Sequence, residues 1–387
     1  MKKISPGLFI SLPIIMIWLY ASCQSGSTRN NRYSNFHPGK IWKDNNGVHI
    51  NAHGGGMLFY EGTYYWFGEH KVKGRKGNKA QVGVHCYSST DLYNWNDEGI
   101  ALSVKEDTSS LLERGCVIER PKVIYNENTG EFVMWFHHEL KGRGYDAAMT
   151  GMAVSDNVTG PYVYKKSVNP NAGHWPENFT GEQKNADVQP EDLKSWSDEW
   201  KKAVKNGLFV RRDFEEGQMS RDMTLYIDDD GKAYHIHASE ENLTLHISEL
   251  SEDYKSFTGN YVRVQPGGHN EAPSIFKHND KYYMICSGCT GWDPNAARLL
   301  MADSIMGKWE YLGNPCIGER KDITFDAQST YILPVKGKKD AYIFMADRWR
   351  PKNPIDGRYV WLPIQFNDKG HPYLEWFDKW NLDFFDK

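Results

Sequence analysis

The chain has 387 residues, 40% of them apolar and 25% charged, so it can bury a sizeable core and is not a disordered polymer. Lysine and arginine number 46 against 50 acidic residues, and a formal charge of −4 leaves no basic footprint for nucleic acid. Aromatics make up 14% and glycines number 35, a mixture suited to many short strands and to the flat faces of sugars.

The chain opens on a positive Met1-Lys2-Lys3, followed by an apolar stretch over residues 8–19 that Pro13 interrupts. That stretch is too short and too broken for a membrane span and has the form of an export signal. It ends in Ala21-Ser22-Cys23, small residues before a lone cysteine, in the manner of a bacterial lipobox. Residues 1–23 are therefore read as a signal peptide with Cys23 as the lipidation site, and the polar stretch 24–38 as a tether. An exported lipoprotein is expected, on the periplasmic face or the cell surface, a monomer held to the membrane by its lipid alone. Five further cysteines, Cys86, Cys116, Cys286, Cys289 and Cys316, are odd in number and irregular in spacing, which is no disulfide framework. Cys286 and Cys289 have ligand spacing but no second pair, and are read as buried free thiols.

From residue 39 to 387 one unit recurs five times: a polar start, an apolar run, a tight turn and an aromatic-rich strand. It begins at His53 (HGGGMLFY-EGT-YYWFGE), Glu119 (ERPKVIY-NENTGE-FVMWFH), Arg221 (RDMTLYI-DDDG-KAYHIHAS), Glu271 (EAPSIFK-HND-KYYMICSG) and Gln328 (QSTYILPV-KGKKD-AYIFMAD). Turns such as Glu61-Gly62 and Asn279-Asp280 have hairpin chemistry. Four units are followed by a strand end, an acidic turn and an aromatic, closing on Trp95, Tyr162, Tyr254 and Trp309. Unit starts lie about 50–65 residues apart, the length of a four-stranded blade, which predicts an all-β, five-bladed β-propeller. The terminal strings YVWLPIQF and YLEWFDKW are expected to supply strands that close the ring with the N-terminal segment. The larger gap between the second and third units holds an insertion, residues 166–212, polar and Pro/Asn-rich, with helical character near 195–205. It is either a solvated decoration or a wall of the site.

Registering the units on their apolar runs brings His53, Glu119, Glu271 and Gln328 to one position, with Asp222 one residue later. Inner strands of a propeller begin at the mouth of the central channel, so these residues are expected to ring a single funnel. A glutamate directly before an apolar strand needs a partner or a purpose. Several carboxylates around one funnel meet the needs of glycoside hydrolysis: one acid protonates the leaving oxygen, a base activates water, and a third carboxylate raises the acid's pKa. The DDDG string lacks the further ligands of a calcium loop and reads as a hairpin turn. No metal or other cofactor is expected.

With these strings the chain resembles glycoside hydrolase family 43, and within it the exo-β-1,3-galactanase branch. The resemblance is carried by AHGGGML, YWFGE, STDLYNW, ERPKVIYN, SRDMTLYIDDDGKAY, EAP, SGCTGW, DAQSTY, DRWRPKN and RYVWLP, over roughly residues 40–385. It implies an enzyme that removes terminal galactose from β-1,3-galactan, such as the backbone of arabinogalactan, with inversion. It implies Glu271 as general acid, Glu119 as the carboxylate that tunes it, and Gln328 at the water-activating position. Sugar contacts would come from Glu69, Asp222, Tyr145 and Asn242, and from the loop Thr290-Gly291-Trp292. Most of the family carries an aspartate base in the first blade, where this chain reads His53-Gly54-Gly55-Gly56; His53 remains a funnel residue, a channel ligand or a packed side chain. A neutral amide has no useful basicity, so Gln328 would serve as an imidic-acid tautomer or simply orient the water, and Glu69 or Glu119 could take the proton. Two alternatives stand beside this reading: an α-L-arabinofuranosidase or β-xylosidase of the same family, and a non-catalytic glycan-binding propeller.

Overall fold

Each of the five repeats folds as an antiparallel up-and-down sheet whose first strand lies innermost. In this computed structural model, which describes Met1 and residues 33–386, the first blade is β1 (His53–Tyr60), β2 (Thr63–His70), β3 (Gly83–Ser89) and β4 (Asn96–Ser103). The second is β5 (Val117–Asn126), β6 (Glu131–Glu139), β7 (Met149–Ser155) and β8 (Val163–Val168). The third is β9 (Met223–Ile227), β10 (Ala233–Ser239), β11 (Thr244–Leu250) and β12 (Phe257–Val264). The fourth is β13 (Glu271–His278), β14 (Lys281–Ser287), β15 (Ala297–Ala302) and β16 (Glu310–Gly313). The fifth has three strands, β17 (Gln328–Pro334), β18 (Tyr342–Arg348) and β19 (Arg358–Pro363). The inner strands contact one another in the order β1, β5, β9, β13, β17 and back to β1, which closes a five-bladed propeller.

The hairpins form where the sequence places them. Glu61 and Gly62 (φ 46° and 80°) make a two-residue link between Tyr60 and Thr63, and Asn279 and Asp280 (φ 49° and 59°) do the same between His278 and Lys281. Trp95, Tyr162, Tyr254 and Trp309, the aromatics after the third strands, are all buried. Each blade interface is filled by one apolar cluster, such as Val84, Cys86, Met134 and Phe136 between the first two blades.

Ring closure departs from expectation. Arg358–Pro363 is the third strand of the last blade, but the final string adds no strand to that blade. Pro372–Tyr373 (β21) pairs only with Gln365–Phe366 (β20). The chain then returns to its start, where Phe36 and Trp380 form a single antiparallel bridge with N–O distances of 2.8 and 3.2 Å. Around it Phe36, Trp66, Trp361 and Trp380 pack as one aromatic plug between the fifth and first blades. Because Phe36 is buried in that plug, the folded unit begins before residue 39, at Tyr33. The expected export signal, Met1 apart, and the expected lipidation site Cys23 lie outside the described residues.

The insertion carries three short helices, α1 (Gly181–Lys184), α2 (Asp198–Lys205) and α3 (Leu208–Arg212). Ser197 caps α2 by accepting the Trp200 N–H, and Trp200 and Val204 turn inward onto Leu243. The buried Arg263 of β12 donates to the Val204 and Lys205 carbonyls at the end of α2 and pairs with Glu240 at 2.6 and 2.7 Å. Among the described residues, none of the insertion lines the cavity at the funnel mouth. It is a buttress behind the loop of residues 240–242.

Candidate active site

The sheet registers bring the funnel residues together. Glu271 pairs with Ser287, His53 with Glu69 and Gln328 with Asp347, each at the outermost step of its first hairpin, and Glu119 pairs with His137 two steps in from the end of its own. A bulge follows at once in the first, second and fourth blades, and the residue after the polar one is left-handed: Gly54 (φ 60°), Arg120 (φ 55°) and Ala272 (φ 53°). In a regular strand Arg120 would face away from Glu119. The bulge turns both into the funnel. Glycine is required at 54, because a Cβ there would lie 2.1 Å from Glu69 Oε1.

A cavity of about 210 Å³ opens at this mouth. It is lined by Glu69, Glu119, Tyr145, Asp222, Asn242, Glu271, Gly291, Trp292 and Gln328 among the expected residues. Two expected residues are not brought to it. His53 is fully buried and stacked on Tyr359, 3.7 Å from Asp347 Oδ2. The Thr290 hydroxyl is spent within its own loop, donating to the Asp293 carbonyl at 2.6 Å and accepting from Asn295. The lining also includes Lys71, Arg120, His137, Arg221 and Trp349, which the sequence did not single out.

Glu271 and Glu119 are driven to opposite protonation states. Burial, followed by the repulsion of Asp222, raises the Glu271 carboxyl to about 7. Its Oε1 accepts from Asn242 Nδ2 at 2.8 Å and from the Cys289 thiol at 3.0 Å. With Oε1 so occupied, the acid proton belongs on Oε2. Cys289 is thus half-buried at the site, not a buried core thiol, while the other four cysteines after residue 33 are buried; all five are free.

Burial alone would raise Glu119 as well, but His137 outweighs it and holds the carboxylate at about 2. His137 Nδ1 lies 3.0 Å from Glu119 Oε2, and its Nε2 lies 2.9 Å from Glu139 Oε1. Burial works against the imidazolium, yet the two carboxylates raise it to about 9. Tyr145 donates its hydroxyl to Glu119 Oε1 at 2.7 Å.

Arg120 joins the remaining groups. It donates to both oxygens of Asp222 at 3.1 and 2.9 Å, to the Ser329 carbonyl at 2.8 Å and to Gln328 Oε1 at 2.6 Å. Its backbone N–H donates to Glu69 Oε1 at 3.0 Å, and Lys71 pairs with the other Glu69 oxygen. Trp349 Nε1 also donates to Gln328 Oε1, at 2.8 Å, and Gln328 Nε2 donates to Ser287 Oγ at 3.0 Å. Glu119, His137 and Asp222 place ligand-type atoms within 4.8 Å of one another. Both His137 nitrogens are committed to carboxylates and Asp222 to Arg120, so the cationic charge at this spot is the protein's own.

Asn242 comes from the loop the insertion braces. Glu240, Glu241 and Asn242 are all left-handed (φ 50°, 58° and 61°), and Arg212 pairs with Glu241 at 2.9 Å. Asn242 Oδ1 is buried and has no hydrogen-bond partner among the described residues, which leaves an acceptor for a hydroxyl.

This arrangement has known counterparts. The model of glycosyl hydrolases family 43 matches residues 191–372. A family 43 β-1,3-galactosidase solved with galactodeoxynojirimycin is 57% identical and superposes with a TM-score of 0.88, covering 90% of this chain and all of that one. The exo-β-1,3-galactanase of Phanerochaete chrysosporium, solved with β-1,3-galactotriose, is 32% identical with a TM-score of 0.71, over 90% of this chain and 68% of that one. A curated β-D-galactofuranosidase of Aspergillus niger is 29% identical over 129 residues, 30% of this chain, and the match spans about a third (37%) of that relative's length. By its fold and by these relatives, the chain belongs to glycoside hydrolase family 43 and is a glycoside hydrolase.

Proposed function

We propose that the enzyme removes terminal galactose from β-1,3-linked galactan with inversion, on a polysaccharide such as arabinogalactan. The observation that carries this reading is a buried carboxyl, Glu271, that keeps its proton to about pH 7 in a cavity shared with an ionised Glu119. Glu271 protonates the leaving oxygen from Oε2. Glu119 stays charged, binds sugar hydroxyls and helps keep the acid protonated. Gln328 positions the water. Asp222, Glu69, Tyr145 and Asn242 hold the ring, and Trp292, exposed at the rim, offers a face for the next sugar. The sugar identity is supported by the 57% identical β-1,3-galactosidase. Export and lipidation at Cys23 would place the enzyme where polysaccharide is met.

The test is galactose release from β-1,3-galactobiose by the wild type and by Glu271→Ala, beside an activated aryl β-galactopyranoside. An aryl β-D-galactofuranoside, an arabinofuranoside and a xyloside complete the panel. Loss of about 10²–10⁴-fold on the disaccharide, with the activated substrate far less affected, is the signature of a lost general acid. Equal rates for the two proteins on the disaccharide would refute the assignment.

A further inference from the structure

Gln328 stands in the wall between two cavities. The second, of about 240 Å³, shares Gly291, Trp292, Gln328 and Trp349 with the first and has Asn295, Asp326 and Asp347 among the polar residues of a mixed lining. It has room for several waters.

The hydrogen bonds of Gln328 limit what its amide can do. Oε1 is filled by Arg120 Nη2 and Trp349 Nε1, two groups that only donate. Nε2 spends one N–H on Ser287. What remains is a second N–H. An imidic-acid tautomer would put a proton on Oε1 against two donors, so Gln328 is held as the ordinary amide. It can bind a water by that water's oxygen but cannot receive its proton.

The nearby carboxylates of the first cavity are engaged. Glu119 is held by His137 and Tyr145, Asp222 by Arg120 and the Ala272 N–H, and Glu69 by Lys71 and the Arg120 N–H. Asp347 differs. It is the direct cross-strand partner of Gln328, so the two side chains share one face of the sheet. It is 2% exposed, and its contacts fall on one oxygen: Oδ2 accepts the Gly54 N–H at 2.6 Å and lies 3.7 Å from His53 Nδ1. It lines the second cavity together with Gln328.

We propose that the second cavity supplies the nucleophilic water and that Asp347 takes its proton while Gln328 holds the water in place. This rests on the galactosidase reading above and names the base that reading leaves open. As the water oxygen bonds to the anomeric carbon, the glycosidic C–O bond breaks and its oxygen takes the proton of Glu271. One proton of the attacking water passes to the Asp347 carboxylate, directly or across one cavity water. Glu271 ends ionised and Asp347 protonated, and exchange with solvent resets both.

Three variants, Asp347→Asn, Asp347→Ala and Glu271→Ala, test this on β-1,3-galactobiose and on 2,4-dinitrophenyl β-D-galactopyranoside, with and without sodium azide. The asparagine side chain still accepts the Gly54 N–H, so Asp347→Asn is expected to unfold at the wild-type temperature. Both Asp347 variants are expected to lose about 10²–10⁴-fold in kcat on both substrates, because the water is needed whichever group leaves. Glu271→Ala is expected to be slow on galactobiose alone. Azide is expected to accelerate Asp347→Ala and to yield α-galactosyl azide. An Asp347→Asn enzyme within threefold of wild type overturns the proposal, and so does a slow Asp347→Ala enzyme that azide neither accelerates nor converts to that adduct. A wild type inert on both galactosides overturns the galactosidase reading and this one with it.

Discussion

Two neighbours act on the Glu271 carboxyl with opposite sign, and removing each should move the alkaline limb of kcat/KM in opposite directions. Asp222 raises it by repulsion, whereas the Cys289 thiol, bonded to Oε1 at 3.0 Å, lowers it. Asp222 Oδ2 accepts the N–H of Ala272, the residue next to Glu271, at 3.1 Å. For two carboxylates roughly 6–7 Å apart at an effective dielectric of about 20, the repulsion is ~2.5 kcal/mol, or somewhat under 2 pH units. Asp222→Asn leaves Arg120 in place with its charge less balanced, so nothing offsets that loss. The limb, set near pH 7 in the wild type, should fall by about 1–2 units. Cys289→Ala removes one hydrogen bond to the charged form, worth about 0.5–1 kcal/mol, and the limb should rise by roughly half a unit. The assay is kcat/KM for β-1,3-galactobiose from pH 4 to 10 for the three proteins. Limbs that coincide, or that move the same way in both variants, would refute the electrostatic account of the acid.

Other perturbations read the scaffold. Burial lowers His235 to about 3 and His138 to about 4, so below roughly pH 6.5 the unfolded chain binds protons that the folded one refuses. Each should cost about 1.4 kcal/mol of stability per pH unit until its folded pKa is reached, and thermal unfolding midpoints should drop steeply from pH 6 to 4. His137 has the opposite sign: raised to about 9, its contribution is complete below roughly 6.5 and lost as pH climbs through 9. Arg263→Met leaves Glu240 buried with His246 as its remaining ionisable partner and frees the end of α2, so unfolding by urea should show a loss of about 3–5 kcal/mol together with weaker sugar binding through Asn242. Trp380→Ala empties the plug that closes the ring, and a loss of about 3–5 kcal/mol is expected in the same titration; under 1 kcal/mol would mean the ring is closed by something else.

The propeller was legible because each blade repeats its own punctuation: hairpin residues such as Asn279-Asp280, and an aromatic after each of the first four third strands, are local signals. The funnel carboxylates were legible because a glutamate before an apolar strand is out of place. What was hidden depended on backbone geometry and cross-strand register. Arg120 and Ala272 are non-glycine residues in left-handed conformation, a choice no residue type announces. His137 and Asp347 matter because of the residues they sit opposite, and register is set by folding both strands. Cys289 looked like a core thiol because its strand is apolar, but it follows the end of that strand and curls back over Glu271. Closure by a plug, not by a shared blade, was hidden because the aromatics of residues 359–384 fit strand and plug equally well.

As proposed, the funnel residues, scattered along the sequence, act as one inverting hydrolytic site on a terminal galactose. Proton NMR of the first sugar released from β-1,3-galactobiose tests it most directly, read before mutarotation. α-Galactose is expected first, with the β-anomer growing in later. β-Galactose appearing first, or an intact disaccharide under conditions where the protein is folded, would contradict it.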